Sequence, residues 1–356
     1  MQSSRKWLIA VVIIVTIIAC YILFGHGDQK PTTIFEPIVS HDGKQIVYGV
    51  DSDKGTVFMS FDLGARKCRQ IYKTSESAGS AVFTSDDKRI LFSVVEGSKK
   101  LFDFGKSQLY IMSADGGNAH RLITSDFSDD CPTIASNGQD VLFIRSGRKV
   151  THSAGVDRWT DDDIYRTDFN GINAIPMTHR KYNDLAGLAI EADNRTLIYC
   201  DDRLVGNQRD QIYDLDMQTG VERRLTNGYR YSNEPVISRK SSKIAFISDQ
   251  HDPFDYEVWC MGLDGKGARQ VTQLNRNCSS PIFSPDGKSI VFNVEDGEIW
   301  RVNIDGTWPE QLPIFNRDCS SPSFLPDGKS IVFVVDDREL WRVNIDGTGL
   351  AKLPIT

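Results

Sequence analysis

Residues 279–307 read SSPIFSPDGKSIVFNVEDGEIWRVNIDGT and residues 320–348 read SSPSFLPDGKSIVFVVDDRELWRVNIDGT, identical at 23 of 29 positions with an offset of 41. Self-similarity at a fixed period decides a fold before any single element does. In each copy an extended segment meets a tight turn, Pro285-Asp286-Gly287-Lys288 or Pro326-Asp327-Gly328-Lys329, and an apolar run follows. After a short acidic loop, WRVNI closes on a second turn, Asp305-Gly306 or Asp346-Gly347. Strand, turn, strand, loop, strand, turn is the grammar of consecutive hairpins.

Fainter copies are found upstream by anchoring on the residue that matches Pro281 and Pro322. They begin near Pro37, Ala81, Pro132, Gly187 and Pro235. A fourth strand closes each on Leu-Thr or a relative, as at Ile123-Thr124, Met177-Thr178, Leu225-Thr226 and Val271-Thr272. Seven repeats of four short antiparallel strands predict an all-β, seven-bladed propeller, with six blades as the alternative if the degenerate fourth repeat is misread. Runs such as Ile290-Val291-Phe292 are apolar at consecutive positions, as a sheet buried on both faces requires. A β-sandwich would show alternation and no fixed period.

At these residues the chain resembles the TolB-like propeller repeat, whose pattern is Pro, Ser-Pro-Asp-Gly-Lys, an apolar strand, Asp-Gly and Leu-Thr. The match is nearly complete at Ser284 to Phe292 and good at Pro326 to Phe333, and weak at Glu191 to Asn194 and Arg239 to Ser242. The resemblance covers residues 34–356 and implies a fold, not an activity. The amino-terminal α/β domain that precedes the repeats in TolB is not expected here.

The division expected is therefore 1–27 as an anchor, 28–33 as a linker and 34–356 as one propeller. Arg5 and Lys6 precede an uncharged run from Trp7 to Phe24, whose 18 residues would span about 27 Å as a helix. The basic flank belongs on the cytoplasmic side, so a single-pass anchor would place the propeller in the periplasm or outside the cell. Lipoprotein processing at Cys20, after Ile17-Ile18-Ala19, and an ordinary cleaved signal peptide are the competing readings. All three are extracytoplasmic.

Net charge is −7, and beyond the amino terminus no Lys/Arg block occurs, which disfavours a nucleic-acid partner. Seven cysteines include no Cys-x-x-Cys. Cys278 and Cys319 hold the same place in adjacent repeats. An oxidising compartment would allow a bridge; small buried thiols are the alternative, because equivalent positions in neighbouring blades commonly exceed disulfide reach.

In such blades the first-to-second and third-to-fourth turns share one end, here short and Asp-Gly-rich. The second-to-third loops and the connections between blades share the other. They are long and varied, as in Glu96 to Ser107, Arg145 to Asp162 and Asp249 to Tyr256. Long loops on a rigid scaffold are where binding surfaces are built. Their aromatic and arginine content suits a protein interface, so the candidate binding residues are Phe102, Phe104, Phe127, Trp159, Tyr182, Tyr229, Arg230, Tyr231, Arg276 and Arg317.

Catalytic signatures are missing: no Gly-x-Ser-x-Gly, no His-x-His and no His-x-x-x-His. His152, His179 and His251 fall on the long-loop side of three blades, where convergence would resemble propeller lyases such as oligogalacturonate lyase. Asp126, Asp129, Asp130 and Asp161 to Asp163 match no calcium-loop pattern. The reading is a membrane-anchored, monomeric, extracytoplasmic binding module for a protein or envelope component, with no catalytic residue, metal or cofactor assigned. The alternative is a lyase- or hydrolase-type propeller enzyme or a glycan-binding protein, with its site at the channel mouth.

Overall fold

The computed structural model describes residues 32–97, 105–151, 157–180, 185–191, 193–201, 210–227, 231–250, 254–295, 297–314 and 317–355. The expected amino-terminal anchor and Cys20 lie outside them. Among the described residues no helix is long and apolar enough to cross a membrane.

Seven four-stranded antiparallel sheets follow one another along the chain, each a meander of consecutive strands. The blades span 33–73, 77–121, 128–176, 185–224, 232–270, 278–311 and 319–352. The weak fourth repeat builds a complete blade, so there are seven. Each first strand touches the first strand of the next blade, and the first strand of blade 7 touches that of blade 1. The first strands therefore ring the axis.

The buried apolar side chains form seven clusters, each between two neighbouring blades. Ile290 and Phe292 pack toward blade 5, while Val291 between them packs toward blade 7. Period-2 geometry thus sends successive apolar residues into different interfaces. Among the described residues no strand is exchanged at closure. Ile34, Ile46, Tyr48 and Phe61 pack on Leu325, Val332, Val334 and Leu340, and the Ile34 amide donates to the Asp337 carbonyl at 2.6 Å.

Every first strand carries a bulge. A left-handed residue stands at Glu36, Ser80, Cys131, Gly187, Glu234, Ser280 and Ser321, and pairing slips by a residue or more around it. The bulge accounts for the anchoring proline, which needs no ladder donor there. It also corrects the fourth anchor: Gly187 is the bulge, and Leu188 is the counterpart of Pro281.

The Leu-Thr signature has a physical cause too. The Thr178, Thr226 and Thr272 hydroxyls each accept the backbone N–H of Ile164, Ile212 or Val258, at 2.9, 3.0 and 2.9 Å. They donate to the adjacent side chains of Asp163, Gln211 and Glu257. In blade 2 the pair is Leu122-Ile123, one residue earlier than Ile123-Thr124, because Leu122 takes the ladder bond to Leu109. Ile123 stands in the threonine's place, and the buried Gln108 Oε1 has no partner. Thr272→Val should cost about 1–3 kcal/mol in urea unfolding, since it strips a buried amide and a buried carboxylate of one partner each.

Candidate binding face

The long-loop end differs from its opposite by one large feature. Strands two and three of blade 3, Asp140–Thr151 and Asp157–Asp168, have 12 residues each, against six in blades 4 to 7. The pair Arg145↔Asp163 corresponds to Val294↔Glu298, where blade 6 stops. From Ser146↔Asp162 to Thr151↔Asp157 the ladder continues as an arm about 20 Å long. The segment expected as a loop is thus a β-hairpin, and Trp159 lies on it opposite Lys149.

A buried ion pair roots the arm. Arg145 Nε and Nη2 donate to the two Asp129 oxygens at 2.6 and 2.8 Å, and the side chains are 10% and 1% exposed. The guanidinium also lies 4.6 Å from the Tyr165 ring centre and 5.3 Å from those of Phe143 and Phe127. Two-point pairing with aromatic cover suits arginine, whose charge is weakly hydrated. The Leu185 amide of blade 4 donates to Asp162 at 3.2 Å, bracing the other strand.

Two phenylalanines project from this face. Phe127, in the connection from blade 2 to blade 3, is 42% exposed, and Phe254, between strands two and three of blade 5, is 60% exposed. Phe254 has φ of 72°, an outlier for a bulky side chain. The fully buried Asp249 accepts the amides of Phe254, at 3.4 Å, and Tyr231, at 2.8 Å. Tyr231 in turn meets Tyr256 with ring centres 6.2 Å apart. One buried carboxylate therefore holds Phe254 and Tyr231, and the half-buried Tyr256 packs beside the latter.

Of the predicted residues, Phe127 and Tyr231 take places in these aromatic groups. Arg276 and Arg317 are in ion pairs: Arg276 with Glu298 at 2.7 Å, and Arg317 with Asp336 at 2.6 Å and Glu339 at 3.0 Å. Both pin the connection into the next blade. Phe102, Phe104, Tyr182, Tyr229 and Arg230 lie outside the described residues. Phe254, Tyr256, Asp129, Arg145 and Asp249 went unassigned from sequence; the aromatic segment 249–256 was the available signal.

Cys278 and Cys319 are free, buried thiols. Cys278, in blade 6, packs toward blade 5, and Cys319, in blade 7, packs toward blade 6, so they lie in different interfaces and no bridge joins them. Burial pushes Cys319 up to about 11 and also raises Cys278. His179 is exposed, and His152 and His251 lie outside the described residues. Among the described residues no three His, Cys, Asp or Glu side chains are grouped to hold a metal.

In the channel, Glu36 Oε2 accepts the Ser80 bulge amide at 2.9 Å, and Glu234 Oε2 that of Ser280 at 2.5 Å. Both carboxyls meet water in the lumen, but the surrounding protein displaces bulk hydration and raises their pKa, with Asp130 adding repulsion at Glu36. A raised folded-state pKa gives stability that is complete below the unfolded value near 4.5 and lost as pH rises through the folded value. A Glu36→Gln, Glu234→Gln variant should melt near wild type at pH 4 and gain on it toward pH 7. A Tm difference that does not vary with pH would refute this.

The opposite, short-turn face carries a cleft of about 510 Å³ across blades 1 and 2. Its Lys44 is paired with Asp42 at 2.8 Å and its Arg69 donates to the Asp115 carbonyl at 2.9 Å. Trp308, at the end of the third-to-fourth turn of blade 6, is 78% exposed on that side.

No family model matches the chain. An uncharacterized protein of Agrobacterium fabrum is 23% identical over 232 residues, 65% of this chain and 71% of that one. The uncharacterized peptidase YuxL of Bacillus subtilis is 33% identical over 86 residues, 24% of this chain but 13% of the peptidase. Among solved structures, a putative TolB from Agrobacterium tumefaciens aligns at a TM-score of 0.51 and 19% identity, covering 92% of this chain and 89% of its own. Oligogalacturonate lyase in complex with manganese aligns at 0.68 and 14%, covering 92% and 90%. A Mycobacterium tuberculosis puromycin-hydrolyzing peptidase aligns at 0.69 and 11%, covering 90% and 53%. These likenesses establish a TolB-like propeller fold.

Proposed function

We propose that the chain is a membrane-tethered, extracytoplasmic propeller that binds a protein partner or envelope component on its long-loop face, without catalysis. The observation that carries this reading is the pair of exposed phenylalanines, Phe127 beside the Arg145 guanidinium and Phe254 held through its amide by the fully buried Asp249. A rigid, preorganised apolar side chain on an open face has the character of an interface anchor. The run from Trp7 to Phe24 supports the tether.

Full chain crosslinked in its native membrane should capture a partner that the Phe127→Ala, Phe254→Ala variant loses. At about 2 kcal/mol per anchor, each substitution weakens binding roughly 30-fold. Undiminished capture by the folded variant would remove this face from the reading. The lyase likeness favours a second reading, a propeller enzyme or glycan-binding protein using His152, His179 and His251. Stoichiometric metal in the purified full chain, lost on substituting these histidines, would establish it.

A further inference from the structure

We infer that Asn170 is a site of spontaneous covalent modification, at which attack by the Gly171 nitrogen converts the asparagine to isoaspartate or aspartate and loosens the contact between blades 2 and 3. The inference is independent of the function proposed above. Asn-Gly is the pair in which this chemistry meets least hindrance, because no side chain on the glycine shields its nitrogen. The chain has three such pairs, Asn137-Gly138, Asn170-Gly171 and Asn227-Gly228, and the described residues include both members of the first two.

Exposure and turn shape do not separate those two. Both asparagines are exposed, and both glycines are left-handed, with φ of 66° and 67°. Both glycine amides donate to the carbonyl three residues earlier, Gly138 to Ala135 at 2.8 Å and Gly171 to Asp168 at 3.1 Å. The carboxamides differ. That of Asn137 is tied at both ends: Oδ1 accepts the Gln139 and Asp140 amides at 2.9 and 3.1 Å, and Nδ2 donates to Asp140 at 2.8 Å. That of Asn170 donates once, from Nδ2 to Asp168 at 3.1 Å, and among the described residues its Oδ1 accepts no hydrogen bond. To react, a carboxamide must leave its partners and turn its carbon toward the glycine nitrogen. Each hydrogen bond surrendered slows that step by roughly two- to tenfold. The two extra bonds at Asn137 therefore make Asn170 the faster site by about five- to a hundredfold.

The reaction consumes one water and needs no oxidant or reductant. Base removes the Gly171 amide proton, the nitrogen bonds to Asn170 Cγ, and the Cγ–Nδ2 bond breaks to release ammonia. Water then opens the cyclic imide. Opening at Cγ leaves aspartate, whereas opening at the original main-chain carbonyl leaves isoaspartate, whose main chain runs through Cβ and Cγ and is one carbon longer. Blade 2 pins the chain on both sides of that carbon. The Arg89 guanidinium lies 4.0 Å from the Phe169 ring centre, and a methyl on Gly171 would lie 1.7 Å from the Leu122 carbonyl oxygen. Phe169 also packs on the apolar cluster that holds Leu122. An extra main-chain carbon between two fixed points has no slack to enter, so one of the contacts is given up.

The test ages the full chain at mildly alkaline pH in water enriched in heavy oxygen, then digests it and follows both sites by mass spectrometry. Each conversion should add one labelled oxygen. In the folded chain Asn170 should convert at least about fivefold faster than Asn137, and in urea the two rates should converge, because only the folded turns distinguish them. Equal rates in the folded chain, or a ratio undiminished in urea, would overturn the assignment. Chain aged until half of Asn170 has converted should be cut by chymotrypsin at Phe169 several-fold faster than fresh chain, while an Asn170→Gln variant aged alongside it should not change. No acceleration, or an equal one in the variant, would overturn the link to the contact between the blades.

Discussion

Asp129→Ala should lower the unfolding free energy by about 3–5 kcal/mol, because it leaves the Arg145 guanidinium buried without its counter-charge. The ring contacts to Tyr165, Phe143 and Phe127 remain, but neutral π faces do not replace a carboxylate. Changing both partners, Asp129→Ala with Arg145→Met, should recover most of the loss. Urea unfolding of the two variants separates the cases. A loss under about 1 kcal/mol for the single variant would mean that the pair is hydrated and does not root the arm. The arm should also become sensitive to protease in the single variant before the blades do.

Gly171→Ala is the second large effect. A methyl there would lie 1.7 Å from the Leu122 carbonyl oxygen of the preceding blade, at a backbone φ of 67°. The left-handed conformation alone costs about 1–2 kcal/mol, and the clash forces blades 2 and 3 apart, for a total of at least about 3 kcal/mol. Gly220 is the control. Its φ is 72° but nothing lies within 4 Å of the added carbon, so Gly220→Ala should show only the conformational part. Equal losses would assign the whole effect to backbone strain.

These two sites mark how far the sequence could be read. The Asn-Gly turn at Asn170-Gly171 and its Asp-Gly relatives announced the blades, because each is a local requirement that recurs with the period. Successive apolar residues such as Ile290, Val291 and Phe292 announced burial on both faces for the same reason. The arm was not legible. Its strands mix Arg148, Lys149, Asp157 and Arg158 without apolar alternation, and among the described residues none from the arm joins a cluster between blades that would demand one.

Nor was the support of the candidate face legible. Asp129 and Arg145 meet from different strands, and Asp249 reaches back to Tyr231 from 18 positions later. Such pairings depend on register, which a repeat pattern gives only to within a residue, as Leu122-Ile123 and Leu188 show. Arg276 and Arg317 attracted attention as loop-face arginines, but Glu298 and Glu339, which open the third strand of the next blade, claim both.

The seam between blades 7 and 1 bears on how such a chain could have grown. Every blade is one unbroken stretch of sequence, and the last interface asks of its two sides only what every other interface asks. Copying one repeat unit in frame would then give a longer ring with no partner strand to re-establish. The most similar neighbouring units, 279–307 and 320–348, build the two blades on the near side of that seam.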